Sequence, residues 1–137
     1  MREFLDELSG FAEIAIWTAG SASYAAAVAS AIFPKPEVLA FIWSARRCTT
    51  RFDFELQDFY IVKKLRKIER LGFSLARSVI VDNTRRKAEQ NYGNLVPIPS
   101  WEGDLADDHL LKLLPFLRQL EEAPSVRPIE KRGWYLT

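Results

Sequence analysis

Two apolar segments that each lead into polar side chains most constrain what this chain can form. Residues 79–81 are Val, Ile and Val, and residues 82–84 are Asp, Asn and Thr. A short β-branched run of this kind is typical of a buried strand in a parallel sheet. Residues 12–17 are apolar except for Glu13 and lead to Thr18. Because open α/β sheets bind ligands at the carboxyl ends of their strands, both polar ends are predicted to lie at one edge of a sheet.

The remaining sequence alternates between helix and strand patterns. We predict helices over residues 2–9, 21–32, 63–71 and 104–120, and strands over residues 12–18, 38–43, 79–82 and 95–98. Residues 44–59 have mixed character and are interpreted as an irregular insertion or hairpin. The alternation favours an α/β fold, a doubly wound parallel sheet with right-handed crossovers. We expect one domain over residues 1–122 and a loosely held C-terminal extension over residues 123–137.

Composition restricts the location and the partners. The chain has 137 residues, one cysteine and no apolar run near the length of about 18 residues that a membrane span needs. We therefore expect no membrane span and an intracellular location, cytoplasmic or nuclear. Residues 46–91 carry twelve basic and six acidic side chains, a balance that suits an anionic ligand. Direct nucleic-acid binding is not expected, because no aromatic residues are interleaved with the basic ones.

The polar strand ends supply candidate site residues, each with a simpler alternative. Asp82 and Asn83 are hard oxygen donors suited to Mg²⁺, but Asn83 or Thr84 could instead cap the next helix. Thr18 and the backbone N–H groups from Ala19 onward could bind an anion at a helix N-terminus. The alternative for Thr18 is an ordinary helix cap. Lysines at positions 63 and 64 could each face a phosphoryl oxygen or solvent.

The order of these motifs resembles the haloacid dehalogenase superfamily. The resemblance is to the phosphatases of the RNA polymerase II carboxy-terminal domain and the NLI-interacting-factor-like group. It covers residues 2–121 and rests on four segments in order. They are residues 17–21 with Tyr24 and Ala25, residues 63–67 with Leu71 and Gly72, residues 79–84, and a closing segment of residues 91–98, Trp101, Asp104 and residues 110–117.

The resemblance implies a function and a role for each candidate residue. It implies a Mg²⁺-dependent phosphoserine/phosphothreonine protein phosphatase that works through an aspartyl-phosphate and acts on phosphorylated proteins or peptides. Thr18 and Ala19 would bind phosphoryl oxygens, and Lys63, favoured over its neighbour by one position, would neutralise phosphoryl charge. Asn83 would bind Mg²⁺ directly, and Asp82 would hold a metal-bound water.

One family motif is absent from these residues. The family's nucleophile is the first aspartate of an Asp-x-Asp-x-Thr motif on the central strand, and no two aspartates here are separated by one residue. We therefore expect a truncated domain that lacks its first strand and is inactive alone. Its exposed sheet edges are expected to favour self-association. The alternative is a non-catalytic module of the same fold that binds phosphopeptides or other proteins.

The insertion supplies a candidate substrate rim. Arg46, Arg47 and Arg51 precede an alternation of Phe52 and Phe54. We expect these arginines to contact an acidic phosphopeptide, because the family reads its substrate from this region. The alternative is a solvated loop.

Overall fold

The computed structural model of the protein describes residues 2–100 and 102–136. Trp101, which belongs to the resemblance in the closing segment, lies outside the described residues. The chain divides into two compact units, one ending at Ile61 and the other beginning at Val62.

The first unit contains two helices and a parallel strand pair. Helix α1 is Arg2–Ser9, strand β1 is Ile16–Trp17, helix α2 is Ala22–Ile32 and strand β2 is Ile42–Trp43. Both helices are confirmed, and Ser21 caps α2 through its hydroxyl, which accepts from the Tyr24 N–H at 3.1 Å. The two strands are much shorter than predicted. A 3-10 turn at Pro36–Val38 uses part of the predicted second strand, because proline favours the first position of such a turn.

Aromatic side chains and small residues pack the first unit. Strands β1 and β2 align Trp17 with Trp43, whose rings meet edge to face with centroids 4.9 Å apart. Ala25 and Ala29 of α2 are almost fully buried, and α2 packs against both strands. An alanine spacing of four residues places both side chains on one helix face, so the helix can approach the strands closely.

The mixed segment forms a hairpin, one of the two predicted alternatives. Strand β3 is Thr49–Asp53, strand β4 is Asp58–Val62, and the two are joined by a turn over residues 54–57. Phe52 contacts Phe54 and Phe59 edge to face, with ring centroids 5.1 and 4.9 Å apart. Phe54 and Phe59 are largely exposed, so the hairpin presents an aromatic surface.

The second unit contains another parallel strand pair and two helices. Helix α3 is Arg66–Glu69, strand β5 is Ile80–Asp82, strand β6 is Leu95–Pro97 and helix α4 is His109–Glu122. The register pairs Ile80 with Leu95 and Asp82 with Pro97. The most buried apolar side chains of this unit come from several elements, which are Val62, Ala88, Val96, Leu113 and Leu120.

The predicted start of the last helix is wrong. The helix begins at His109 instead of residue 104. The Asp104 carboxylate accepts from the Ala106 N–H at 2.8 Å, and the Asp107 carboxylate accepts from the His109 N–H at 2.9 Å. Aspartates that bond the backbone two residues ahead favour turns over helix, which delays the helix start. The His109 N–H also lowers the pKa of Asp107.

The prediction that the C-terminal extension is loosely held is wrong for residues 123–136. Val126 and Trp134 are buried. The Val126 N–H donates to the Ala76 carbonyl at 2.8 Å, and the Trp134 indole donates to the Pro97 carbonyl at 2.7 Å. The Trp134 ring also stacks on Phe116 of α4. An apolar tryptophan face combined with one satisfied N–H anchors the segment to the second unit.

The α/β class is confirmed, and the doubly wound sheet stays a prediction. Strands β1 with β2 and β5 with β6 are parallel, as predicted, in two separate two-stranded sheets. Across the described residues, each of these strands is hydrogen bonded to one partner strand.

Unpaired strand edges lead to a prediction about association. We expect the isolated chain to be marginally stable or to self-associate, because an unpaired edge can pair with another chain. Sedimentation velocity over a series of concentrations measures the association, and thermal unfolding measures the stability. A strictly monomeric sample with a sharp cooperative transition would contradict this expectation.

Candidate functional site

A buried ion pair at the carboxyl end of β5 is the centre of the candidate site. The Lys63 Nζ lies 2.9 Å from the Asp82 Oδ2, and both side chains are more than nine-tenths buried. Two opposite charges are stable in such a place only when they compensate each other. The pair therefore holds a cation and a carboxylate in fixed positions at a strand end.

Backbone hydrogen bonds position Lys63. Its N–H donates to the Lys87 carbonyl at 2.6 Å. Two residues later, the Leu65 N–H donates to the side-chain oxygen of buried Asn91 at 3.1 Å. The chain is therefore held at the lysine and again two residues after it, before α3 begins. Of the two candidate lysines, Lys63 is the one that pairs with Asp82, and Lys64 is half-buried.

The Asp82 carboxylate also organises the turn after β5. Its Oδ1 accepts from the Thr84 N–H at 2.9 Å, while its other oxygen faces Lys63. Thr84 precedes a 3-10 turn at Arg85–Ala88, and its side chain makes no capping hydrogen bond there. The simpler alternative, a cap from Asn83 or Thr84, is thus not what the structure shows. The aspartate itself stabilises the turn.

Asn83 is exposed beside this pair. Its amide nitrogen donates to the Ser100 hydroxyl at 2.9 Å, and its amide oxygen accepts from the Thr84 hydroxyl at 3.1 Å. These contacts orient the amide without burying it. A ligand can therefore reach the amide oxygen by displacing the Thr84 hydroxyl.

Thr18 follows β1 in the first unit. Its hydroxyl accepts from the Gly20 N–H at 3.1 Å, and its own N–H donates to the Trp43 carbonyl at 3.0 Å. The helix cap is Ser21, so the simpler role predicted for Thr18 belongs to another residue. The backbone N–H groups from Ala19 onward were predicted to be available to an anion. The Gly20 N–H is instead bonded to the Thr18 hydroxyl. Ala19 is half-buried between them.

Gly20 packs closely against Tyr24 in this turn. A Cβ at this position would lie 2.7 Å from a Tyr24 ring carbon and 3.4 Å from the Thr18 hydroxyl oxygen. A side chain there would therefore displace the Tyr24 ring, whereas its contact with the Thr18 hydroxyl would be an ordinary one. The glycine allows the Thr18 turn to lie against the first turn of α2.

The predicted rim arginines lie at and after a 3-10 turn, Ala45–Arg47. Arg46, Arg47 and Arg51 are all exposed. The Arg47 guanidinium lies over the Trp43 ring, 4.9 Å from its centroid. A cation over an aromatic face keeps its charge while its position is restricted.

Sequence reasoning gave no role to two asparagines that shape the second unit. Asn91 holds the Leu65 N–H, and the amide of Asn94 donates to the Leu75 and Ser78 carbonyls at 2.6 and 2.8 Å. Both belong to the closing segment of the resemblance. Their signal in the sequence is weak, because each bond joins residues at least 16 positions apart.

The donor set at the end of β5 fits part of a Mg²⁺ shell. One carboxylate and one amide supply hard oxygens, and Mg²⁺ commonly binds one or two carboxylates and keeps several waters. In the described part of the chain, no group of three or more His, Cys, Asp or Glu side chains is arranged to hold a metal ion. The Asp82 carboxylate is also bonded to Lys63 and Thr84.

We therefore predict weak Mg²⁺ binding by these residues. A cation must compete with the Lys63 ammonium for Asp82, and Asn83 alone adds one neutral ligand. Isothermal titration calorimetry with MgCl₂ measures the affinity, with Asn83→Ala as the control for binding at this position. Micromolar affinity in the unaltered chain would contradict the prediction.

The comparison with protein families decides the relationship. A model described as NLI interacting factor-like phosphatase matches residues 1–127. The chain belongs to this family. The resemblance inferred from the motif order is thereby confirmed, and Lys63, Asp82 and Asn83 all lie within the matched residues.

Similar proteins include several carboxy-terminal-domain phosphatases. The CTD nuclear envelope phosphatase 1 of Xenopus laevis is 30% identical over 130 residues, which is 95% of this chain and 50% of the relative. The human Carboxy-terminal domain RNA polymerase II polypeptide A small phosphatase 1 is 32% identical over 124 residues, 90% of this chain and 44% of the relative. The chain therefore spans about half the length of these relatives or less. No helix in the described residues is long and apolar enough to cross a membrane.

Proposed function

We propose that this chain carries the charge-neutralising part of a protein phosphatase site for phosphoserine and phosphothreonine. The observation that carries the proposal is the buried pair of Lys63 and Asp82, with Asn83 beside it, at the carboxyl end of a parallel strand. Family membership and the names of the similar phosphatases support the reaction class. An intracellular location, cytoplasmic or nuclear, belongs to this proposal.

Each site residue has a role in this proposal. Lys63 neutralises charge on the phosphoryl oxygens, and its ammonium is held in place by Asp82. Thr18 and the Ala19 N–H bind phosphoryl oxygens. Asn83 would hold Mg²⁺ and Asp82 a water on it. When bound, the metal would supply further neutralisation of phosphoryl charge.

The 137 residues contain no Asp-x-Asp-x-Thr motif, which would supply the nucleophile of this proposed reaction. Phosphoryl transfer through an aspartyl-phosphate needs a positioned carboxylate, and neutralising charge cannot replace it. We therefore propose that these residues alone bind phosphorylated peptides without turning them over.

The test compares the chain with an extended form. A strand ending in Asp-x-Asp-x-Thr is added upstream, and phosphate release from a phosphoserine peptide is measured with and without MgCl₂. The proposal expects release only from the extended form with Mg²⁺. A matched extension ending in Asn-x-Asn-x-Thr controls for effects on folding. If the extended form folds and binds the peptide without turnover, the non-catalytic module is supported instead.

The exposed arginines near the hairpin are proposed to form a rim that contacts acidic residues of the phosphopeptide. We predict that Arg46→Glu with Arg47→Glu weakens peptide binding by the extended domain, because attraction becomes repulsion. Fluorescence anisotropy at low salt, where screening is weakest, measures the effect. Arg66→Glu with Arg70→Glu makes the same charge change at two other exposed positions and serves as the control. Equal affinity for the double variant and the control would leave the rim without a role.

A further inference from the structure

A basic cleft in the second unit is lined by residues other than those proposed for phosphatase chemistry. Its volume is about 460 Å³, within the range of about 300–1,000 Å³ typical of small-molecule sites. Arg85 and Tyr92 belong to one of the two chain segments that line the cleft, and Arg127 belongs to the other, the C-terminal segment. Lys63, Asp82 and Asn83 are not among its described lining residues.

The side of the cleft formed by the C-terminal segment is fixed in place. Val126 is bonded to the Ala76 carbonyl at one end, and Trp134 to the Pro97 carbonyl at the other. Between them, the buried Lys131 ammonium donates to the Val126 carbonyl, which closes the segment into a loop. A wall held at both ends loses little conformational freedom when a ligand binds.

Gly93 brings the two sides together. A Cβ at this position would lie 3.2 Å from the Arg127 carbonyl oxygen and 3.5 Å from its guanidinium Nε. The absence of a side chain therefore lets the C-terminal segment pass close to the 3-10 turn Tyr92–Asn94. Arg127 is placed at the cleft as a consequence.

The charge of the cleft is not cancelled by its acidic residue. Glu130 is held by Arg132 through two hydrogen bonds of 2.9 and 2.8 Å. The Arg132 side chain lowers the pKa of Glu130 to about 2, so this carboxylate stays ionised and paired near neutral pH. Within the described residues, neither Arg85 nor Arg127 forms an ion pair. Arg85 and Arg127 thus line the cleft without an ion-pair partner of their own among the described residues.

We propose that this cleft binds a small phosphorylated molecule. Arg85 and Arg127 donate to the phosphate oxygens, because the planar guanidinium matches phosphate geometry and keeps its charge at any physiological pH. Tyr92, which is 53% exposed, covers the part of the ligand that carries no phosphate. The cleft volume of about 460 Å³ is large enough for a small molecule.

The experiment is an NMR titration of the isotope-labelled chain with inorganic pyrophosphate. Saturable shifts are expected at the Tyr92 and Gly93 amides. Arg85→Gln with Arg127→Gln is expected to weaken binding about a hundredfold, since each arginine loses a charged hydrogen bond that is worth about tenfold. Arg127→Lys keeps the charge and should give an intermediate loss. Arg66→Gln with Arg70→Gln makes the same charge change at two exposed positions outside the cleft and should bind as the unaltered chain does.

Several results would overturn the proposal. They are the absence of saturable shifts, an unchanged affinity in the Arg85 and Arg127 double variant when its spectrum shows a folded chain, and an equal loss in the control double variant. An equal loss in the control would indicate unspecific charge attraction. Shifts centred on Asn83 instead of Gly93 would assign the ligand to the phosphatase site. A phosphoserine peptide that binds more tightly than pyrophosphate through the same arginines would replace the small molecule with a peptide.

Discussion

Replacing Asp82 with alanine is expected to lower the free energy of unfolding by about 3–5 kcal/mol. The substitution leaves the Lys63 ammonium more than nine-tenths buried without its partner 2.9 Å away. The Thr84 N–H also loses its acceptor, which loosens the turn after β5. Urea unfolding followed by circular dichroism measures the change, and an unchanged slope with denaturant shows that the comparison is valid.

A double substitution separates the effect of the two charges on stability from the effect of side-chain volume. Lys63→Met with Asp82→Leu removes both charges and keeps apolar volume, and replacing a whole buried pair in this way is often neutral or stabilising. We therefore expect the double variant to be more stable than Asp82→Ala. If Asp82→Ala costs no more than about 1 kcal/mol, as for a surface ion pair, the two charges are not buried together in solution.

The sequence predicted the polar strand ends well because the signal is local. An apolar β-branched run followed by Asp82 and Asn83 is enough to place both at the end of a strand, and β5 confirms it. The helices α1 and α2 were also predictable, since Gly10 and Ser21 mark a helix end and a helix start in the sequence itself.

The ion pair between Lys63 and Asp82 could not be predicted from local sequence patterns. Lys63 and Asp82 are 19 positions apart, and nothing in the surrounding composition distinguishes Lys63 from its neighbour. Only the family resemblance singled out Lys63. In the structure, the two lysines differ in burial and in partner. The Lys63 side chain is buried and reaches the Asp82 carboxylate, whereas Lys64 is half-buried.

The C-terminal segment shows why polar composition misled the prediction. Its prolines and charges are typical of a mobile tail, but the Trp134 indole N–H and the Val126 backbone N–H each donate to a backbone carbonyl elsewhere in the second unit. Such contacts depend on carbonyls that the sheet and its turns leave exposed, and a local sequence pattern does not encode them. The helix start at His109 is a similar case, because competing aspartate turns decide it.

In the extended, active domain, Asn83→Ala is expected to lower the rate of phosphopeptide hydrolysis by about 10²–10³-fold, the typical loss when one group that stabilises transition-state charge is removed. Asn83 is the sharper test of the proposed site than Asp82 or Lys63. Its side chain is exposed and bonds only Ser100 and Thr84 among the described residues. Its removal should therefore leave stability almost unchanged, and lost rate cannot be attributed to unfolding.

Two controls make the result for Asn83 specific. Ser100→Ala removes the partner of the Asn83 amide nitrogen but no proposed metal ligand, so it should cost far less than Asn83→Ala. Raising the MgCl₂ concentration should partly restore the Asn83→Ala rate, because a lost ligand weakens metal binding before it affects the chemistry. Full activity of Asn83→Ala at low Mg²⁺, in a domain that needs Mg²⁺, would show that the metal is held by other residues.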